Sequence, residues 1–265
     1  MPNTNGSRPI RILTALAIAL AMALSAGVCV ADAPAHDIWL INTRRAPSSN
    51  PVGGEDRMSY WRLGEDRQWA SSDLEAFLAA DAAEVPTSVF IHGNRTDHNG
   101  AVRMGWGVYQ KLKPLAGERP LRFVIWSWPA NQIGGVRQDV QVKARRSDVQ
   151  AYYLAYLLRQ MNPNVRVSMI GYSFGARTIT GALQLLGGSK FGGYSLPDLD
   201  KPVTRAPVRA VLVAAAMPNY WLSPGRSNGL ALGQADRVLV TRNRNDPVLQ
   251  WYDRMYGRGG PQALG

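Results

Sequence analysis

Histidine is the residue this chain has least of after cysteine: there are three in 265 residues, His36, His92 and His98, and none in the remaining two thirds of the sequence. Any chemistry that needs an imidazole must use one of these. The single cysteine, Cys29, lies in an N-terminal apolar stretch, so the rest of the chain has no disulfide, thiol nucleophile or thiolate metal site. There is no low-complexity tract and no block of like charge. With 18% charged and 46% hydrophobic residues, the composition supports one folded domain with a sizeable core. Lys and Arg outnumber Asp and Glu by 30 to 19, a net charge of +11. The positive residues are scattered (Arg44, Arg45, Arg145, Arg146, Arg242, Arg244) without interleaved aromatics, which gives no ground for nucleic-acid binding.

One long apolar run is present. Ile12 to Val30 is interrupted only by Thr14, Ser25, Gly27 and Cys29, and it comes after Arg8 and Arg11. Residues 1–31 therefore read as an export signal, with cleavage after Ala31 or, by the small-x-small rule at Ala31-Asp32-Ala33, after Ala33. The run is also long enough to span a membrane, so an uncleaved anchor is the alternative. Both readings export residues 32–265 to the periplasm or the cell exterior, and both confine membrane contact to this segment. Val28 is too large for the usual lipidation motif at Cys29.

From about residue 37 short β-branched or aromatic runs alternate with helical patterns, the signature of an α/β domain with a mostly parallel sheet and helices on both faces. Expected strands cover Asp37 to Asn42, Ser59 to Leu63, Thr87 to His92, Leu121 to Ser127, Val165 to Ile170, Val208 to Ala216 and Arg237 to Thr241. Between Gln138 and Met161, Val149, Tyr153, Tyr156, Leu157 and Met161 recur at helical steps until Asn162-Pro163. Ile179, Ala182, Leu183 and Leu186 line another helix, stopped by Gly187-Gly188. Residues 187–206 read as an excursion loop and a candidate wall of a substrate entrance.

Gly171-Tyr172-Ser173-Phe174-Gly175 falls between the Val165 to Ile170 strand and the next helix. A Gly-x-Ser-x-Gly pentapeptide there predicts a sharp strand-to-helix turn with Ser173 exposed as a nucleophile, the glycines being needed because a Cβ would collide with backbone. The first oxyanion donor would be the Phe174 N–H, and a second would come from the loop after an earlier strand, for which Val89 to Asn94 has the right form. In this ordered set the chain resembles the α/β-hydrolase superfamily over roughly residues 37–257: His92-Gly93-Asn94 after one strand, Trp126-Ser127-Trp128-Pro129 ending the next, the Gly171 to Gly175 elbow, and Asn245-Asp246-Pro247 after a late strand. It is most similar to a serine-esterase branch with a Ser-Trp-Pro turn. The resemblance implies that Asn94 supplies the second oxyanion N–H, that His92 and Gly93 are structural, and that Asp246 is the triad acid, with Asp253 as runner-up. Asp246 before a proline also reads as a helix N-cap. Trp126, Trp128 and Trp106 are candidates for an apolar pocket wall, or simply for the core.

The superfamily order puts a catalytic histidine after the acid, and no histidine comes after Asp246. A helix from Pro247 to about Tyr256 accounts for most of the remaining chain, and residues 257–265 read as a connector that leads nowhere. The expectation from sequence is a domain incomplete at its C-terminal end, lacking the last strand and the histidine loop, with a pseudoenzyme as the alternative. The function expected is an exported serine hydrolase attacking a small carboxylic ester or acyl substrate through a Ser173 acyl-enzyme, with no metal and no organic cofactor. The competing expectation is a non-catalytic protein that binds an acyl or apolar ligand in the same pocket.

Overall fold

A computed structural model describes residues 36–197, 202–206, 208–255 and 259–265. The expected export signal at 1–31 lies outside the described residues. Eight strands form one sheet: β1 (His36–Asn42), β2 (Ser59–Leu63), β3 (Trp69–Ser72), β4 (Thr87–Ile91), β5 (Leu121–Ser127), β6 (Val167–Tyr172), β7 (Val208–Val213) and β8 (Arg237–Val240), in the order β3-β2-β1-β5-β4-β6-β7-β8. The six strands from β1 to β8 are mutually parallel, and β2 and β3 run antiparallel as an added hairpin. Helices α1 (Leu74–Ala79), α2 (His98–Ala116), α3 (Val136–Gln160), α4 (Phe174–Leu186) and α5 (Tyr252–Met255) complete the architecture.

The two-residue period of the strands divides the core into two layers. Trp39 and Ile41 of β1, Val89 and Ile91 of β4 and Val124 and Trp126 of β5 point to the face covered by α3 and α4, whose own residues Leu154, Leu158, Ile179 and Leu183 are buried against them. Ile38, Leu40, Phe90, Phe123 and Ile125 point the other way, onto Tyr109 of α2. The architecture is thus an α/β-hydrolase fold, a mostly parallel sheet with helices on both faces.

The structure departs from the sequence-based expectation in four places. The hairpin strand β3 is additional, because Trp69-Ala-Ser-Ser has neither a long apolar run nor a clear alternation to mark it. β7 ends at Val213 rather than Ala216, since Ala214 turns the chain at φ 46°. The helix expected from Pro247 to Tyr256 is a 3-10 turn, Leu249–Trp251, leading into the short α5. Residues 259–265, expected as a free connector, instead dock on the segment after β7: Ala263 bridges to Pro218, Leu264 N–H donates to Met217 O at 2.9 Å, and Gly265 N–H to Ala215 O at 3.2 Å.

Candidate active site

In a parallel sheet the loops leaving the carboxyl ends of the strands lie side by side, and here those after β4, β6 and β7 meet. Ser173 comes directly after β6, at φ 55° and ψ −114°. That region is costly for any residue with a Cβ, on the order of 1–3 kcal/mol, and persists only where the surroundings impose it. They do so here. Ser173 N–H donates to Val213 O at 2.9 Å, while Ser173 O accepts from Ala176 N–H at 3.1 Å and Ala216 N–H at 3.3 Å. A Cβ on Gly175 would stand 2.2 Å from Ile91 O, and one on Gly171 would stand 2.6 Å from Ala176 N. Neither neighbour can yield, because both are backbone; the pentapeptide's glycines are what let α4 start against β4. Gly93 plays the same part across the site, since a Cβ there would be 2.9 Å from Ser173 Cβ. The loop carrying Asn94 is therefore seated directly on Ser173.

That loop is clamped from below. The Asp139 carboxylate, wholly buried on α3, accepts from Asn94 Nδ2 at 2.8 Å, Arg95 Nε at 3.2 Å, Ile133 N–H at 3.0 Å and Lys143 Nζ at 2.8 Å. Burial pushes the carboxyl up, but the bonds from Lys143, Ile133, Asn94 and Arg95 outweigh it and bring Asp139 down to about 2. Arg44 holds the other side through Thr96 O and Ser127 Oγ, at 3.0 and 2.9 Å. Among the described residues, the backbone N–H groups of Asn94 and Phe174 have no carbonyl partner, as oxyanion donors require.

His92 is buried and fully engaged. Its Nε2 accepts from Trp128 N–H at 3.2 Å, so its Nδ1 carries the proton and donates to Gly93 O at 2.9 Å. Burial drives the imidazole down; the Gly93 bond offsets part of this, the nearby Arg44 charge adds to it, and the result is about 3. It is a neutral strut. Trp128 stacks on it at 5.5 Å and donates its Nε1–H to His92 O at 2.8 Å. Trp126 donates to Gln150 Oε1 at 2.9 Å. Both tryptophans are wholly buried and neither lines the cavity over Ser173; a strand-end indole finds its hydrogen-bond partner inside the sheet–helix layer. Trp106 packs on Tyr109 at 5.2 Å on the α2 face.

The cavity over Ser173 has a volume of about 630 Å³ and is lined by Asn94, Arg95, Val136, Arg137, Val140, Tyr172, Ser173, Pro247, Val248, Trp251 and Arg254. Among its described residues the 187–206 loop contributes nothing to this lining: Phe191 packs on Trp221 at 5.9 Å instead. Asp246 immediately precedes the lining segment. Its Oδ1 accepts from Val248 N–H at 2.9 Å and Leu249 N–H at 3.0 Å, so the carboxylate caps the turn that leads into Leu249–Trp251. Asp253 Oδ1 accepts from Arg254 N–H at 2.7 Å and lines a neighbouring cavity. His36 bonds Tyr109 Oη at 3.0 Å from the amino end of β1, the far side of the sheet from Ser173. His98, the first residue of α2, is exposed and outside the cavity lining. Among the described residues the Ser173 hydroxyl has no hydrogen-bond partner, and no imidazole lines its cavity.

Sequence reasoning misses Asp139, Arg44 and the cavity's arginines and valines. The i,i+4 pair Asp139–Lys143 is the one available signal, because on a helix such a pair shares a face. The cavity residues carry none, since they meet only through the sheet's loops.

No family model and no curated protein matches the chain. Solved structures similar to it include an iodinated complex of acetyl xylan esterase (16% identity, TM-score 0.37, covering 66% of this chain and 95% of that one). Another is Trichoderma reesei cutinase in complex with a phosphonate inhibitor (17%, 0.37, 66% and 71%), and a third is esterase B from Lactobacillus rhamnosis with a tributyrin phosphonate inhibitor (14%, 0.32, 92% and 69%). The chain's own sheet order is that of an α/β-hydrolase fold, and the strained Ser173 with the glycine contacts around it makes a sharp strand-to-helix turn at the end of β6.

Proposed function

We propose that this chain is a serine hydrolase of carboxylic esters in which Ser173 Oγ attacks the ester carbonyl, the alcohol leaves, and water later releases the acyl group. The observation that carries the reading is Ser173 itself: a non-glycine residue at φ 55°, at the floor of a largely apolar cavity, with the Asn94 and Phe174 N–H groups unpaired around it. Strain at a hydroxyl nucleophile between free donors has no structural purpose of its own. In this reading the two N–H groups stabilise the oxyanion, and Asp139 keeps the Asn94 loop in place. Residues 32–265 act after export, in the periplasm or outside the cell.

Activation of the serine is the weak step. A hydroxyl needs a base, and His92 is locked and neutral while His36 and His98 are placed elsewhere. Turnover by this 265-residue form rests on the oxyanion donors and on binding, which give a small rate above that of water. The same fact favours a second reading, a protein that binds an acyl or apolar ligand in the Ser173 cavity without turning it over. Treatment with an alkyl fluorophosphonate separates the two. Phosphonylation forms an Oγ–P bond and expels fluoride; slow but complete labelling at Ser173, abolished by Ser173→Ala, supports the hydrolase. Ligand binding with no labelling at any pH supports the binding protein.

A further inference from the structure

The lining of the Ser173 cavity has a charge pattern that ester hydrolysis does not require. Its apolar residues, Val136, Val140, Tyr172, Val248 and Trp251, form a wall suited to a hydrocarbon portion. Its charged residues are Arg95, Arg137 and Arg254, all exposed, and among the described residues no carboxylate lines it. The nearby acids are turned away. Asp139 is sealed beneath the loop on Lys143 and Asn94, Asp246 caps the turn at Val248 and Leu249, and Asp253 faces the adjoining cavity beside Arg242 and Arg244. Arg95 is partly neutralised by Asp139 at 3.2 Å. Arg254 lies over the Trp251 ring at 4.2 Å, a contact that fixes the guanidinium without discharging it. Like charges gathered on a low-dielectric wall focus a positive potential into the cleft, and guanidinium is suited to phosphate and carboxylate.

We propose that the substrate is an anionic amphiphile, an acyl ester carrying a phosphate or carboxylate group that Arg137 and Arg254 receive while its hydrocarbon lies along Val140, Val248 and Trp251. This rests on the reading of the cavity as an acyl-substrate site and adds the charge of the substrate. Binding to the full chain with Ser173→Ala, measured by calorimetry, tests it with three probes of one chain length: monooctyl phosphate, octyl glucoside and octyltrimethylammonium. Monooctyl phosphate should bind at least about tenfold more tightly than the other two. Arg137→Gln with Arg254→Gln should reduce that preference to within about twofold. Lys111→Gln with Lys113→Gln, an equal loss of charge toward the other end of α2, should leave it in place. Equal binding of all three probes, no binding of any, or equal losses from both double variants would overturn the proposal, the last by assigning the effect to net charge alone. The ranking of probes by the unmutated arginine set is a test even where a double variant fails to fold. Because the serine is absent, anion preference without fluorophosphonate labelling of the unmutated chain would sink the hydrolase reading alone, and labelling without anion preference would sink this one alone.

Discussion

Ser173 leaves a strand flanked on both sides by parallel neighbours, whereas Asp246 lies beyond β8 at the edge of the sheet, and the two segments differ in burial as much as in position. On the Ser173 side Phe174, Gly175, His92 and Asp139 are buried, and Ser173, Gly175 and Gly93 are fixed by close contacts or hydrogen bonds. On the Asp246 side Leu239, Val248 and Trp251 are 60%, 68% and 57% exposed, and the Asp246 carboxylate serves the backbone of its own turn. A strained strand-to-helix turn such as that at Ser173 can be specified by steric crowding alone. An acid–base pair needs an imidazole in register with the acid, and among the described residues none lines the Ser173 cavity.

Substitutions on the two sides should therefore differ sharply in cost. The largest effect is expected from Gly175→Ala, whose new methyl would meet Ile91 O at 2.2 Å; chemical denaturation should show a loss of more than about 3 kcal/mol. Asp139→Asn leaves Lys143 buried without its counter-charge and should cost about 3 kcal/mol in the same assay. It should also remove a pH dependence. With its folded pKa held at about 2, below its ordinary 3.8, Asp139 contributes stability that is complete above about pH 4 and disappears as pH falls through 2, and the variant should lack that decline.

His92 works in the same direction, in a higher pH window. Its imidazole stays neutral in the fold down to about 3, while an unfolded chain binds the proton near 6.5, so stability should fall by about 1.4 kcal/mol for each pH unit below 6. A flat response between pH 6 and 4 in thermal unfolding would mean that His92 is accessible, and with it the strut. Ser173→Gly removes the strained Cβ and should stabilise the chain by about 1 kcal/mol while ending phosphonylation. The smallest change belongs to the edge: Asp246→Ala should cost about 1 kcal/mol as a lost cap and alter the Ser173 labelling rate by less than about twofold. A tenfold fall in that rate would show that the acid side of the site is coupled to the nucleophile after all.

Legibility in the sequence divides along the same line. The core strands, their crossover helices and the elbow are legible, because parallel strands buried on both faces are written as apolar runs and because only glycine fits beside Ile91 O and Ala176 N. His92 is recognisable as structural. The walls of the cavity are not legible: Val136, Arg137, Val248, Trp251 and Arg254 come from two segments more than a hundred residues apart that only tertiary structure joins. Trp126 and Trp128 are left open between pocket and core by the sequence, and the structure takes the core reading, with their indole N–H groups on Gln150 and His92. The tail at 259–265 carries no periodicity, and its pairing with residues 215–219 is a backbone contact that side-chain pattern does not encode.

The rate at which a fluorophosphonate labels Ser173, tracked by intact-protein mass spectrometry across the pH range, tests most directly whether this serine is placed as a nucleophile yet left without an imidazole. With no imidazole in reach, the rate should climb about tenfold per pH unit, in step with hydroxide, and show no inflection between about pH 6 and 7. A rate that levels off above a midpoint in that interval would reveal a working histidine base and contradict the account.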